Sequence, residues 1–173
     1  MKFKTVNNSE HNFQELWIQF LKANPIASPF YDYLWVEYQI AYSDDKLKED
    51  LSFLVVDEAF DVLAICPLLL EDSDSCLSFS YRGEYIQALR APLISNELSQ
   101  KRSKRLQKYI FNEIDTLAIL RGAGKCTLLI DPLCKASGEE YYNYLVRFGY
   151  IDASLSTMII DTSKDRDELW AAL

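Results

Sequence analysis

Histidine and paired cysteines are what this sequence has least of. One histidine and four cysteines occur in 173 residues, and Cys66, Cys76, Cys126 and Cys134 form no Cys-x-x-Cys pair. A Cys/His zinc site therefore has no ligand set, and no metal is expected. Three of the thiols stand in apolar or strand-like contexts, where cysteine acts as a small buried hydrophobe. Positive charge is also short: 18 Lys and Arg against 26 Asp and Glu give a net charge of -8, which argues against wholesale charge-driven binding of nucleic acid. No apolar run reaches the ~18 residues of a membrane span, and no charged-then-apolar leader is visible. The longest run, 62–70, is strand-sized and broken by Pro67. A soluble protein of the reduced cytoplasm is the expectation. Glycine and proline are scarce, five of each, and there is no internal repeat, low-complexity tract or linker.

What is present is core-forming. Hydrophobic residues make up 49% of the chain and aromatics 13%, enough for one ordinary domain with a real core. Residues 2–6 alternate as a short strand. Asn7, Asn8 and Ser9 offer caps for a helix to about Ala23, with Phe13, Leu16, Trp17, Phe20 and Leu21 as its inward stripe. Ser28-Pro29 restarts a helix, for which Tyr31, Leu34, Trp35, Tyr38 and Tyr42 supply the packed face. Three strands follow, 51–57, 62–70 and 76–82, joined by short turns as an antiparallel meander. Pro67 predicts a bulge or an unpaired stretch in the middle one. Ser95 or Asn96 then caps a long helix to about Arg121, with Leu106, Ile110, Ile114 and Leu117 inward and Gly122 stopping it. A strand at 125–131 should lie parallel to the last meander strand. The box Ser137-Gly138-Glu139-Glu140 starts a short helix ending at Gly149, and 155–161 is the last strand. Leu169, Trp170 and Leu173 open a further helix. The order β-α-α-β-β-β-α-β-α-β specifies an α/β mixed sheet, an α+β arrangement distinct from the doubly wound nucleotide folds.

Chemistry is less legible. Arg82 and Arg90 flank the loop after the meander, where an anionic substrate group could sit; solvated arginines are the plainer reading. Glu84 in that loop is a candidate base if buried, and otherwise a solvated carboxylate. Asp131 ends a strand, a usual place for active-site groups in α/β sheets, although Asp-Pro is also ordinary turn chemistry. Tyr81 continues the Leu77–Phe79 face and reads as core, and His11 as surface. Lys101, Arg102, Lys104, Arg105 and Lys108 form the one basic cluster, either a polyanion patch or a solvated helix face.

The element order resembles the GNAT acyltransferase fold over nearly the whole chain, from residue 2 to about 161. Two segments are similar to the Fem-like transferases, the tandem-GNAT group that includes enzymes adding amino acids to peptidoglycan precursors from aminoacyl-tRNA. One is Ala27-Ser28-Pro29-Phe30-Tyr31 through Trp35. The other is Met158-Ile159-Ile160-Asp161-Thr162-Ser163 with Asp167-Glu168-Leu169-Trp170-Ala171-Ala172-Leu173. Arg90-Ala91-Pro92-Leu93 looks like the family's Gly-Pro-Leu stretch, with Ala91 in the place of glycine.

The resemblance implies a GNAT-like domain at 1–162, with 163–173 leading toward a second unit or a homodimer partner. It also implies transfer of an acyl or aminoacyl group to an amine of a bacterial cell-envelope or surface-glycan precursor. Aminoacyl-tRNA or a lipid-linked precursor would be the partner, met by Lys101, Lys104, Arg105 and Lys108. Arg82, Glu84, Arg90 and Asp131 would be the substrate-binding set. GNAT enzymes that use acetyl-CoA hold its pyrophosphate on a Gln/Arg-x-x-Gly-x-Gly/Ala loop. The corresponding stretch here has the single glycine Gly83, so no cofactor is expected. A catalytically silent binding domain and a free-standing acetyltransferase are the other readings.

Overall fold

The structure, a computed structural model, describes residues 2–25, 27–73, 76–83, 87–132 and 143–153. They fall into two compact units, Met1–Tyr142 and Asn143–Leu173.

In the larger unit, strand β1 (Lys4–Asn7) leads to helix α1 (Phe13–Ala23), a single turn of 3-10 helix at Pro29–Tyr31, and helix α2 (Tyr33–Ser43). Strands β2 (Leu47–Asp50) and β3 (Phe53–Val56) pair antiparallel with β5 (Leu69–Ser73) and β4 (Val62–Cys66). The two halves of this long hairpin are divided where Pro67 interrupts the ladder, as the missing N–H dictates. Leu51 N–H still reaches the Leu68 carbonyl at 2.8 Å, and Leu68 N–H turns to the Ser52 hydroxyl at 3.1 Å.

Strand β6 (Cys76–Phe79) pairs with β5; β7 (Leu89–Arg90) and β8 (Leu93–Ile94) follow, then helix α3 (Gln100–Arg121), β9 (Lys125–Cys126) and β10 (Leu128–Leu129). β9 runs parallel to β6, as expected, and β10 runs parallel to β7. Thr127 is the handover between the two. Its N–H donates to the Phe79 carbonyl at 2.9 Å, and its carbonyl accepts from Leu89 N–H at 3.0 Å. Ala91 N–H then donates to the Leu129 carbonyl at 2.8 Å. Beyond that bond the strands part: β8 returns antiparallel to β4, while β10 runs on to Asp131.

Alternation along β1 shows how the layers form. Val6 faces a core shared with Phe13, Trp17 and Phe20 of α1, Tyr31, and Leu54, Ile65 and Leu93 of the sheet. Thr5 faces the other way, its hydroxyl 3.0 Å from the Tyr109 hydroxyl of α3. α1 and α3 thus cover opposite faces, which explains why Phe53–Val56 is buried on both sides. Each such aliphatic side chain contributes about 1.5–3 kcal/mol on burial. Leu106, Ile110, Phe111 and Ile114 form the packed stripe of α3, whose end at Gly122 has the left-handed φ of 68° that favours glycine.

Several expected boundaries shift. α1 starts at Phe13 rather than in the Asn7–Ser9 caps, β6 stops at Phe79, and α3 is capped by Ser99 rather than Ser95 or Asn96. Ser28-Pro29 starts only the 3-10 turn, and Asp32 caps α2 through Leu34 N–H. The inward stripe predicted for this helix holds at Tyr31, which is buried, and in part at Trp35, which is half-buried, but fails at the other three positions. Leu34, Tyr38 and Tyr42 are 70%, 49% and 56% exposed, whereas Val36, Gln39 and Ser43 are buried. In the smaller unit a 3-10 helix, Tyr144–Phe148, ends at Gly149 as predicted. The capping box at 137–140, the strand at 155–161 and the helix opening at 163–173 lie outside the described residues.

Candidate functional site

The parting of β7 and β10 gathers a buried polar cluster. β7 supplies Arg90, the residue two beyond β10 is Asp131, and the loop between α1 and α2 lays Ser28, Phe30 and Tyr31 across them. The Ser28 hydroxyl donates to Asp131 Oδ2. Arg90 Nε approaches the same oxygen at 3.4 Å, an ion pair rather than an aligned hydrogen bond. The Arg90 guanidinium also lies 4.4 Å from the centroid of the Phe30 ring, a cation–π contact. Tyr31 hydroxyl donates to the Ala91 carbonyl at 2.7 Å, and Trp17 Nε1–H donates to the Tyr31 carbonyl at 2.8 Å, tying the loop to α1. Arg90 and Asp131 are only 6% and 2% exposed. The expectation of a solvated Arg90 is therefore corrected, because parallel pairing of β7 with β10 carries it beside Asp131.

The remaining sequence candidates go elsewhere. Arg82 is exposed, and its backbone N–H rather than its side chain is engaged, with Glu71 Oε2 at 3.0 Å. Glu84 lies outside the described residues. Lys101, Lys104, Arg105 and Lys108 are all exposed on α3, whose first turn holds no acidic residue. Arg102 leaves that patch and pairs with Asp57 at 2.9 Å. Tyr81 is core, 1% exposed, between the rings of Trp35 and Tyr42, and His11 is exposed.

Two features went unread in the sequence. Glu71 is buried, and its carboxylate accepts from the hydroxyls of Ser43 and Ser80 as well as from Arg82 N–H; Ser78 and Ser80 hydroxyls are 2.8 Å apart. Ser28 was legible only as a cap, although it lies inside the segment that carries the family resemblance.

The electrostatics are simple elsewhere. Burial pushes the Asp57 carboxyl up, but hydrogen bonds from Ala59 and Asp61 N–H and from Arg102 outweigh it and hold the group below its ordinary value. The bidentate hydrogen bonds of Arg121 hold Glu49 low, at 2.5 and 2.8 Å, joining the end of α3 to β2. Burial pushes the Cys66 thiol well up, so it is an inert hydrophobe.

Several backbone donors of the segment before α3 are already engaged. Between β7 and α3 the N–H groups of Leu89, Ala91 and Ser95 donate to sheet carbonyls, Glu97 N–H donates to the Ser95 hydroxyl, and Pro92 has none. Gly83 is explained without a ligand, since a Cβ there would overlap the Tyr81 phenol.

No protein-family model matches the chain, and no curated protein matches it. Solved structures do resemble it. A Pyrococcus furiosus protein described as an acetyl transferase superposes with a TM-score of 0.51 at 15% identity, over 92% of this chain and 100% of that one. Glucosamine-6-phosphate N-acetyltransferase from Arabidopsis thaliana gives 0.47 at 15% identity, over 92% and 99%. The chain has the α/β fold of the GNAT acyltransferases.

Proposed function

We propose that this chain is the N-terminal GNAT unit of a Fem-like acyl or aminoacyl transferase, acting on an amine of a cell-envelope or surface-glycan precursor. One observation carries the reading beyond the fold. Two of the stretches that resemble that group, Ala27–Tyr31 and Arg90–Leu93 (the latter with Ala91 in the place of glycine), close on each other where the parallel strands part, through Tyr31–Ala91 and Phe30–Arg90. In such a reaction the amine nitrogen attacks the carbonyl carbon of an activated ester. A C–N bond forms, the C–O bond breaks, and the leaving oxygen takes the proton that the amine gives up.

Asp131 and Arg90, buried and joined to each other, are positioning residues. They fix the α1–α2 loop over the strand gap, so that catalysis rests on placement of the reactants. Arg82, exposed at the exit of β6, and Glu84 would meet substrate. Lys101, Lys104, Arg105 and Lys108 would take the phosphates of aminoacyl-tRNA or of a lipid-linked precursor. In this reading 1–162 is the GNAT unit and 163–173 leads toward a second one. The engagement of the Leu89, Ala91 and Ser95 N–H groups within the sheet supports a second reading, a catalytically silent binding domain.

The test offers the chain aminoacyl-tRNA or acetyl-CoA together with an amine-bearing muropeptide and follows amide formation by mass spectrometry. Amide from aminoacyl-tRNA, reduced in Lys101→Ala/Arg105→Ala/Lys108→Ala, supports the proposal. Amide from acetyl-CoA alone overturns the Fem-like assignment, and no amide from either donor gives precedence to the silent domain.

A further inference from the structure

A cleft of about 510 Å³ lies between α1 and the turn joining β3 to β4, and it shares no residue with the Ser28–Arg90–Asp131 cluster. Three carboxylates line it, Asp57, Asp61 and Glu97, against one guanidinium, Arg102. Arg102 is drawn onto Asp57 at 2.9 Å, so those two charges offset each other. Asp61 and Glu97 have no ion pair among the described residues, and both are exposed. The cleft is therefore negative overall.

Asn24 adds an independent observation. It lines the cleft and is 3% exposed, and its Nδ2 donates to the Phe20 carbonyl at 2.8 Å. That bond leaves Oδ1 buried and, among the described residues, without a hydrogen-bond partner. A buried acceptor in that state carries its desolvation cost uncompensated until a donor arrives. Phe60 supplies an apolar rim whose ring already attracts a cation, Lys4 Nζ lying 5.7 Å from its centroid. The described carboxylates are not gathered into a group that could hold a metal ion. A phosphate would be repelled.

From this we infer that the cleft binds a primary ammonium group carried on an alkyl stem, the head toward Asp61, Glu97 and Asn24 and the stem along Phe60. The inference rests on the proposed function only in casting that ammonium as the acyl acceptor's amine in its resting, protonated form. Binding itself needs no donor and no transfer.

The experiment titrates a short alkane diamine (cadaverine), and separately its diol counterpart, into the isotope-labelled full chain. It reads the amide resonances of Asn24, Asp61 and Glu97. Saturable shifts with the diamine are expected, with none from the diol. Asp61→Asn/Glu97→Gln should weaken binding by roughly tenfold or more, as should raising salt from about 0.05 to about 0.5 M. Both substituted side chains are exposed, so the variant keeps the parent spectrum elsewhere. Equal shifts from the diol, a double variant that binds as the parent does, or no shifts at all would each overturn the inference. Failed amine binding removes this site alone, whereas intact binding without transfer counts against the proposed function alone.

Discussion

Replacing Asp131 by alanine tests whether the buried cluster is organised as described. The substitution removes the Asp131 carboxylate from beside the Arg90 guanidinium, which is 6% exposed, and from the Ser28 hydroxyl that donates to it. Breaking a buried ion pair by removing one partner costs about 3–5 kcal/mol, because the surviving charge stays desolvated. The Phe30 ring lies above Arg90 before and after the substitution, so that contact does not alter the difference. The expectation is a loss of about 3–5 kcal/mol, or a fall in Tm of roughly 6–20 °C for a chain of this length. Urea unfolding followed by tryptophan fluorescence is a suitable assay, since Trp17 is fully buried and bonded to the same loop through Tyr31. The midpoint should fall at constant slope. Arg90→Met/Asp131→Leu, which removes both charges and keeps volume, should recover most of the loss. A deficit under about 1 kcal/mol for Asp131→Ala, the size of an exposed pair, would refute the buried-cluster reasoning. So would a double variant no more stable than the single one.

Three further outcomes follow from the same geometry. Gly83→Ala should destabilise by about 1–3 kcal/mol, because the added Cβ meets the Tyr81 phenol and that ring is held between Trp35 and Tyr42; an unchanged Tm would show that Tyr81 does not lie over Gly83. Asp57 has a depressed folded-state pKa, so its contribution is full above the ordinary carboxylate value near pH ~4 and is lost as pH falls through the lower, folded one. The stability gap between the parent and Asp57→Asn should accordingly be open at neutral pH and narrow on acidification, and a gap independent of pH would contradict it. Acetyl-CoA should show no saturable one-to-one binding by calorimetry at millimolar ligand; micromolar affinity would restore the free-standing acetyltransferase.

The element order, the meander and the long helix were legible because they rest on local patterns that each segment reports about itself. Pro67 divides its strand, Gly122 stops α3, and Leu106, Ile110 and Ile114 repeat at helical spacing. The misplaced features depend on partners that periodicity does not see. Ser95 caps no helix because its N–H still extends the sheet to the Leu63 carbonyl, so α3 waits for Ser99. In α2, aromatics at 35, 38 and 42 look like a core stripe. The helix is instead turned to bury Ser43, which meets the Glu71 carboxylate, and the rings of Trp35 and Tyr42 close over Tyr81 from the side. Arg90 and Asp131 were both singled out, but nothing in either segment states the register that joins them. That register is Leu129 opposite Arg90, two residues short of Asp131.

The distribution of charge around the start of α3 bears on what this fold could do in the proposed reaction. Lys101, Lys104, Arg105 and Lys108 stand exposed in the first turns of a helix with no acidic residue there, an arrangement that the positive end of the helix dipole disfavours. Arg102, on the same turns, points away from them to Asp57 and so to the cleft that holds Asp61 and Glu97. Within a few residues the chain thus keeps a surface of one sign apart from a cleft of the other. In the proposed reaction the donor is a polyanion and the acceptor, before it loses its proton, is a cation. Placed in one site, each would find the other's recognition charges repulsive. Held on separate surfaces, the donor's phosphates could settle on α3 while the amine stays among carboxylates. In that proposed arrangement a pyrophosphate cradle would be unnecessary, because the donor would be recognised by side-chain charge rather than by backbone N–H groups.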